Sequence, residues 1–374
     1  MAFRGMFDGF LRKNLRRHSL SSVTALAVRS MPTKLSSGGI AYGEVMPAIQ
    51  NLHHWRYMSS PAMVSSTSQD VKETQAPTVA LRDIYEKIYK SVDAKSTPPN
   101  AWLWSLIESC ANKKDIDLLF QTLQNLRRFR LSALRINENF NSHLCQRVAE
   151  ACARVGAFDY GLKALWKHNI YGLTPSIASA HYLLRHAKEC NDHSLMERIM
   201  RILQKNGLPL QPGTADIVFS ICYNANKWEL ISKYSRKFIK SGVKLHQSTF
   251  DIWMEFAVKR GDVASLWEIE KLRSNYTKNQ TLSSTFSCAK GFLLEKKPEN
   301  AAAVIHVLSQ NLPEQKKSKF FKELQNLVLW PREAIKRQKG SQKEAHIALN
   351  KELSKMASIL ADKGIEMTLS SKGN

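Results

Sequence analysis

Three glycines recur at a constant interval of 35 residues, Gly172, Gly207 and Gly242. Each follows an amphipathic stretch, in the contexts Tyr-Gly-Leu-Thr-Pro, Asn-Gly-Leu-Pro-Leu and Ser-Gly-Val-Lys-Leu. A glycine so placed suits the left-handed residue that ends a helix. Its recurrence at a fixed period marks a chain built from one supersecondary unit used repeatedly. No such unit buries its apolar faces alone, so successive units must stack to make a core.

Carried along the chain, the interval gives frames 142–176, 177–211, 212–246, 247–281 and 282–316. An earlier frame at 100–134 precedes them, followed by a seven-residue insertion at 135–141. In this register Gly156 and Gly261 fall at position 15, the expected turn between two helices. Position 11 holds the small residues Cys110, Cys152, Ala187, Cys222 and Ala257, and departs from smallness only at Phe292. Position 20 holds Leu119, Gly161, Met196, Ile231, Leu266 and Ala301. Positions 7 and 8 carry large apolar pairs such as Leu183/Leu184, Val218/Phe219 and Trp253/Met254. Small residues let neighbouring helices approach; the larger ones fill the space between hairpins. The expected fold is all-α, an α-solenoid of stacked helical hairpins with helical caps.

A two-helix unit of 35 residues with a turn glycine near position 15 resembles the pentatricopeptide repeat. Frame 142–176 carries the likeness most fully, through Val155-Gly156, Leu162 and Gly172-Leu173-Thr174-Pro175. Frame 247–281 adds Phe250, Lys259 and Gly261. The 34-residue tetratricopeptide repeat requires small residues at its positions 8 and 27. Bulky side chains stand there in this chain, among them Leu184, Phe219, Met254, Leu203 and Phe238.

The resemblance implies RNA association and no catalysis. It also implies base-facing pairs at position 5 and the last position of each repeat. Those pairs are Gln146 with Ser176, His181 with Gln211, Asp216 with His246, and Asp251 with Thr281. None is a combination usual in the family. Trp104 and Phe286 occupy position 5 of the outer frames and cannot hydrogen-bond a base edge in the manner of the family's polar residues. RNA held through phosphate and shape is therefore expected ahead of base-by-base reading. The basic candidates on the concave, first-helix side are Lys113, Arg154, Lys188 and Lys259, near positions 12–14. The same residues also suit the negative end of a helix dipole. A denser cluster, Arg127, Arg128 and Arg130, is expected on the second helix of the first frame.

Charge points the same way. The chain has 55 Lys and Arg against 32 Asp and Glu, a formal net of +23. Such a balance favours polyanionic partners. Part of it lies in residues 1–58, which carry Arg4, Arg12, Lys13, Arg16, Arg17, Arg29, Lys34 and Arg56 against Asp8 and Glu44. With Met6, Phe7, Phe10, Leu11 and Leu15 able to share a helical face, that segment reads as a mitochondrial presequence. Arg56-Tyr57-Met58-Ser59-Ser60 resembles a matrix-peptidase site. Residues 59–78 read as a disordered mature N-terminus.

Residues 79–93 form a predicted amphipathic capping helix with Leu81, Ile84, Tyr85, Ile88 and Tyr89 apolar. Residues 79–99 are the capping helix and linker, and 100–316 the repeat array. Residues 317–374 read as a basic helical extension, with a helix at 317–329 and another at about 342–363 striped by Leu349, Leu353, Met356 and Leu360. No nucleotide-binding, zinc-protease or hydrolase motif is present, and no CxxC pairs the six cysteines. No cofactor, metal or small-molecule substrate is expected, and no apolar run reaches membrane-spanning length. The expected partners are RNA, either ribosomal RNA or organelle transcripts, and ribosomal or other mitochondrial proteins. A component of the mitochondrial ribosome is the expected role. A free splicing or stability factor and a protein scaffold without RNA are the alternatives.

Overall fold

The computed structural model describes residues 76–133, 139–335 and 342–367. The segment 1–58 read as a presequence, the cleavage site read at 56–60 and most of the 59–78 segment lie outside the described residues. Fifteen α-helices and no strand occur among those described. Five consecutive hairpins follow one register. They are α4 (Ser142–Val155) with α5 (Phe158–Ala164), α6 (Ile177–Glu189) with α7 (His193–Lys205), and α8 (Pro212–Asn224) with α9 (Trp228–Lys240). Then come α10 (Gln247–Arg260) with α11 (Val263–Tyr276), and α12 (Leu282–Leu294) with α13 (Pro298–Gln310). Each first helix packs on its own second helix and on the first helices of the hairpins before and after it. The result is an α-solenoid in two layers, first helices in one and second helices in the other.

Local chemistry sets the period. Each first helix begins at position 1 of its frame, so the residue just before the frame is its N-cap: Asn141 at the end of the insertion, then the last frame residues Ser176, Gln211, His246 and Thr281. Asn141, Ser176 and Thr281 accept a hydrogen bond from the backbone N–H three residues on, as good caps do. Gly172, Gly207 and Gly242 all have positive φ. The turn at position 15 is left-handed in all five hairpins, at Gly156, Asn191, Asn226, Gly261 and Lys296. Asn tolerates that conformation; Lys adopts it at a cost, because its Cβ crowds the following carbonyl. Lys296 sits at φ 58° and is exposed. Lys296→Gly should therefore stabilise the protein by about 0.5–1 kcal/mol, read as a higher midpoint in urea.

The packing positions are buried as the register requires. Cys110, Cys152, Ala187, Cys222 and Ala257 at position 11 are all at most 3% exposed. Position 20 is closed as well, and at Gly161 an added Cβ would come within 2.9 Å of Leu183 Cδ2 and 3.3 Å of Cys152 Cβ. Burial pushes the Cys110 and Cys222 thiols up to about 12 and Cys145 to about 11, and raises Cys152 and Cys288 too. These are neutral packing groups. No cluster of metal-binding side chains occurs among the described residues, and no described helix is long and apolar enough to cross a membrane.

The first hairpin departs from the frame. Its first helix, α2 (Asn100–Glu108), is short, and α3 (Lys113–Ser132) is long. The turn comes at residues 109–112, so Cys110 lies in the turn although it stays buried. Helix α1 (Val79–Asp93) covers this end and packs on α2 and α3. Leu81 and Ile88 are buried, whereas Tyr89, read as apolar cover, is exposed. Asp115 joins the pieces: its carboxylate accepts from the Thr78 N–H at 2.9 Å and Thr78 hydroxyl at 2.8 Å, and from the N–H groups of Ala111 and Asn112. Burial alone would raise this carboxyl, but those hydrogen bonds prevail and hold it below its ordinary value. Because the folded-state value is depressed, the stabilisation is complete above the unfolded value of about 3.9 and is lost as pH falls below it. Asp115→Asn should cost about 1–3 kcal/mol at neutral pH. Urea titrations of both proteins should converge as the medium is acidified through that range.

At the other end the helical hairpin continues beyond the repeat. Helix α14 (Glu314–Ile335) runs through Trp330-Pro331, six residues past the stop read from the sequence. Pro331 has no N–H to give the Leu327 carbonyl, but Leu324, Leu327 and Trp330 are buried in the main core and hold the helix. Helix α15 (Gln342–Ala361) packs on α13, α12 and α14. Its stripe of Leu349, Leu353, Met356 and Leu360 is buried against the array.

Candidate nucleic-acid interface

The position-5 side chains lie on the first helices, one per hairpin, and Gln146, His181, Asp216 and Asp251 each reach forward to the N-terminus of the next first helix. Asp216 accepts from the Ser248 hydroxyl at 2.8 Å and the Thr249 hydroxyl, and pairs with His246 Nδ1 at 2.6 Å. Asp251 accepts from the Thr281 hydroxyl at 2.5 Å. Gln146 Nε2 donates to Ser176 Oγ at 3.4 Å, and His181 Nε2 meets Thr214 Oγ1 at 2.8 Å. Three of the four pairs read from the sequence are thus brought together: Gln146 with Ser176, Asp216 with His246, and Asp251 with Thr281. His181 and Gln211 are not; His181 takes Thr214, and exposed Gln211 makes no side-chain cap bond.

Each of these bonds ties one hairpin to the next. A nucleobase edge could engage such a pair only by competing with an existing inter-hairpin bond, which raises the cost of reading a base there. Burial raises Asp251, against the pull of Thr281 and Arg273, and lowers His181 with help from Arg185. Position 3 carries a fully buried hydroxyl in four frames, Ser179, Thr214, Thr249 and Ser284; Thr214 and Thr249 meet position-5 groups, and Ser179 and Ser284 bond the caps Ser176 and Thr281. That repeating hydroxyl, four times at 35-residue spacing, is legible in the sequence but easily passed over among apolar neighbours.

The basic candidates separate. Lys113 opens the second helix α3 rather than closing a first helix, so it stands at the positive end of a dipole. Arg154 donates to the carbonyls of Ile107, Glu108 and Cys110 at 3.2–3.3 Å. It caps the C-terminus of α2 across the hairpin boundary. Lys259 lies over the Tyr223 ring at 4.5 Å, and the Tyr223 hydroxyl donates to Glu255. Lys188 is exposed in the last turn of α6. In the arginine cluster, Arg127 donates to the Asn169 carbonyl at 2.7 Å, and Arg130 lies over the Phe140 ring at 4.3 Å. Arg128 is exposed beside the groove between α1 and α3.

A stronger basic surface lies elsewhere. In the hairpins spanning 142–244, the second-helix segments 158–169, 193–209 and 227–244 hold eleven Lys and Arg against three acids. The matching first-helix segments 142–157, 177–192 and 212–226 hold four of each. In these three hairpins positive charge is therefore concentrated on the second helices. Burial and the neighbouring Lys233 both lower the Lys237 ammonium, a sign of how closely these cations are gathered.

No family model and no curated protein matches this sequence. Among solved structures, the chain is similar to the crystal structure of the pentatricopeptide repeat protein PPR10 in complex with an 18-nt psaJ RNA element, with a TM-score of 0.45 and 12% identity. A variant of that protein with three cysteines changed to serine, bound to the same RNA element, gives the same values. Each likeness covers 78% of this chain and 41% of the other, so this chain spans less than half the length of the proteins it matches.

Proposed function

We propose that this chain is a non-catalytic, RNA-associated helical-repeat protein of mitochondrial gene expression, and a component of the mitochondrial ribosome. The observation that carries the reading is the distribution of charge: in a chain of net +23, the second-helix segments between 158 and 244 hold eleven Lys and Arg against three acids, while the matching first-helix segments are balanced. Phosphate contacts give affinity without sequence choice. The position-5 ties support the same reading, because the groups that would select bases are committed to joining hairpins. The pentatricopeptide register adds RNA as the polyanion. The basic, acid-poor segment 1–58 supports the mitochondrion as its place of work.

A particle component and a free factor differ in how they sediment. Tagged protein in a mitochondrial lysate is run on a sucrose gradient with and without EDTA. Co-migration with one ribosomal subunit that persists after the subunits part is the expected result. Slow sedimentation with a few crosslinked transcripts would replace this reading with that of a splicing or stability factor. Absence of any ultraviolet-induced RNA adduct would leave a protein scaffold.

A further inference from the structure

We propose that the outward faces of α7 and α9 form a docking surface for the phosphate backbone of double-stranded RNA. Arg201 and Lys205 on α7, and Arg236 and Lys240 on α9, are exposed. Each pair is four residues apart, which keeps it on one helical face about 6 Å apart along the axis. The two helices are held side by side by Lys233 with Glu197 at 2.9 Å and Lys237 with Gln204 at 2.6 Å.

The acids that could neutralise this face are already engaged. Glu197 pairs with Lys233, and Asp159 pairs with Arg198 at 2.9 Å. Glu229 is the remaining acid of these second-helix segments, at the start of α9. Of the cations, Arg201 and Arg236 reach only carbonyls of their own helix, Glu197 and Ser232. Guanidinium groups so placed retain donors for phosphate oxygens.

The form of the polyanion follows from what is missing. Proteins that hold single strands supply aromatic faces on which bases stack. Among the outward residues of α7 and α9 there are none: Tyr234 is buried, and Trp228 packs against Phe256 with centroids 5.2 Å apart. Trp166, exposed at the end of the neighbouring hairpin, lies beneath the Lys205 ammonium at 5.2 Å. A surface of cations without stacking platforms suits a duplex, which is recognised by shape and backbone.

The inference rests on the RNA-associated reading, and its test separates the two. Full-length protein is titrated with an RNA duplex of about 16 base pairs and with an oligouridine of the same length, over a series of salt concentrations. Three proteins are compared: the natural chain, R201E/R236E/K240E, and R82E/K87E/K90E on α1, which makes the same change of charge elsewhere. Circular dichroism establishes that all three are folded. The expected result is a loss of at least about tenfold in duplex affinity for the α7–α9 variant, with a salt slope shallower by about three. The α1 variant should stay within about threefold of the natural chain. Equal losses in both variants, or preference of the natural chain for oligouridine, would overturn the proposal while leaving RNA association intact. Unchanged duplex binding with lost retention on polyglutamate would overturn it in favour of an acidic protein partner. Failure of the natural chain to bind either RNA would overturn the functional reading itself.

Discussion

Arg273→Ala should lower the free energy of unfolding by about 3–5 kcal/mol, measured by urea denaturation. Arg273 is 1% exposed, an unusual place for a guanidinium. Its Nε and Nη2 donate to the two carboxylate oxygens of Glu270 at 2.7 Å each, and its Nη1 reaches the carbonyls of Thr277 and Asn279. Burial works to lower this guanidinium; the hydrogen bonds and charge of Glu270 reverse that and raise it. The network closes the end of α11 and shapes residues 277–280, which lead into the N-cap Thr281 of α12. Removing the arginine leaves a partly buried carboxylate without its partner and two carbonyls without donors. Removing both charges is a different matter, since a buried ion pair often contributes little beyond an apolar pair of similar volume. The double variant R273M/E270L should recover most of the loss. If it is as unstable as Arg273→Ala, the effect belongs to lost hydrogen bonding at 277–280 and not to an unpaired charge.

Phe219→Ala should cost about 3–5 kcal/mol, and its effect should be local in the stack. The Phe219 ring is fully buried, 6.2 Å from Phe238 in its own hairpin and 5.6 Å from Trp253 in the next. One side chain thus joins both kinds of contact on which a solenoid depends. In a stack of nearest-neighbour units, stability is the sum of unit and interface contributions. Hydrogen exchange should therefore accelerate most in 212–281. Protection in α3, which belongs to the separate N-terminal core cluster, should change least. Uniform loss of protection across the chain would mean that the hairpins unfold as one cooperative body.

Much of this architecture can be read in the sequence, because the period is written in residues with a conformational reason to recur. Gly172, Gly207 and Gly242 mark hairpin ends, and Gly156 and Gly261 mark two of the five left-handed turns. The other three turns are hidden, since Asn191, Asn226 and Lys296 adopt the same conformation without the glycine that announces it. The short α2 is hidden for a related reason: residues 109–112 form a turn closed by Asn112 and Asp115, a reciprocal cap that acts at a distance of three residues and ignores the 35-residue frame. The helix through Pro331 was not legible because the loss of one backbone bond is visible in the sequence, whereas the buried packing of Leu324, Leu327 and Trp330 is not.

The candidate interface was legible only in part. Position 5 and the last position of each frame do meet in three of four pairs, but the bonds they make are to one another. Arg154 reads as a phosphate ligand in one dimension and proves to be a helix cap in three. The basic layer was countable all along. Which of its cations face outward, Arg201, Arg236 and Lys240 among them, depends on how the hairpins stack, and that is not written in the sequence.

A solenoid that grips RNA by its backbone, with its base-facing groups occupied in joining hairpins, should bind without regard to sequence. This is tested most directly by measuring affinity for RNAs of one secondary structure and several scrambled sequences, each at several salt concentrations. Affinities should fall within about threefold of one another and drop steeply with salt, close to one power of salt per phosphate engaged. A single sequence preferred by about 10³-fold or more, with little dependence on salt, would contradict it.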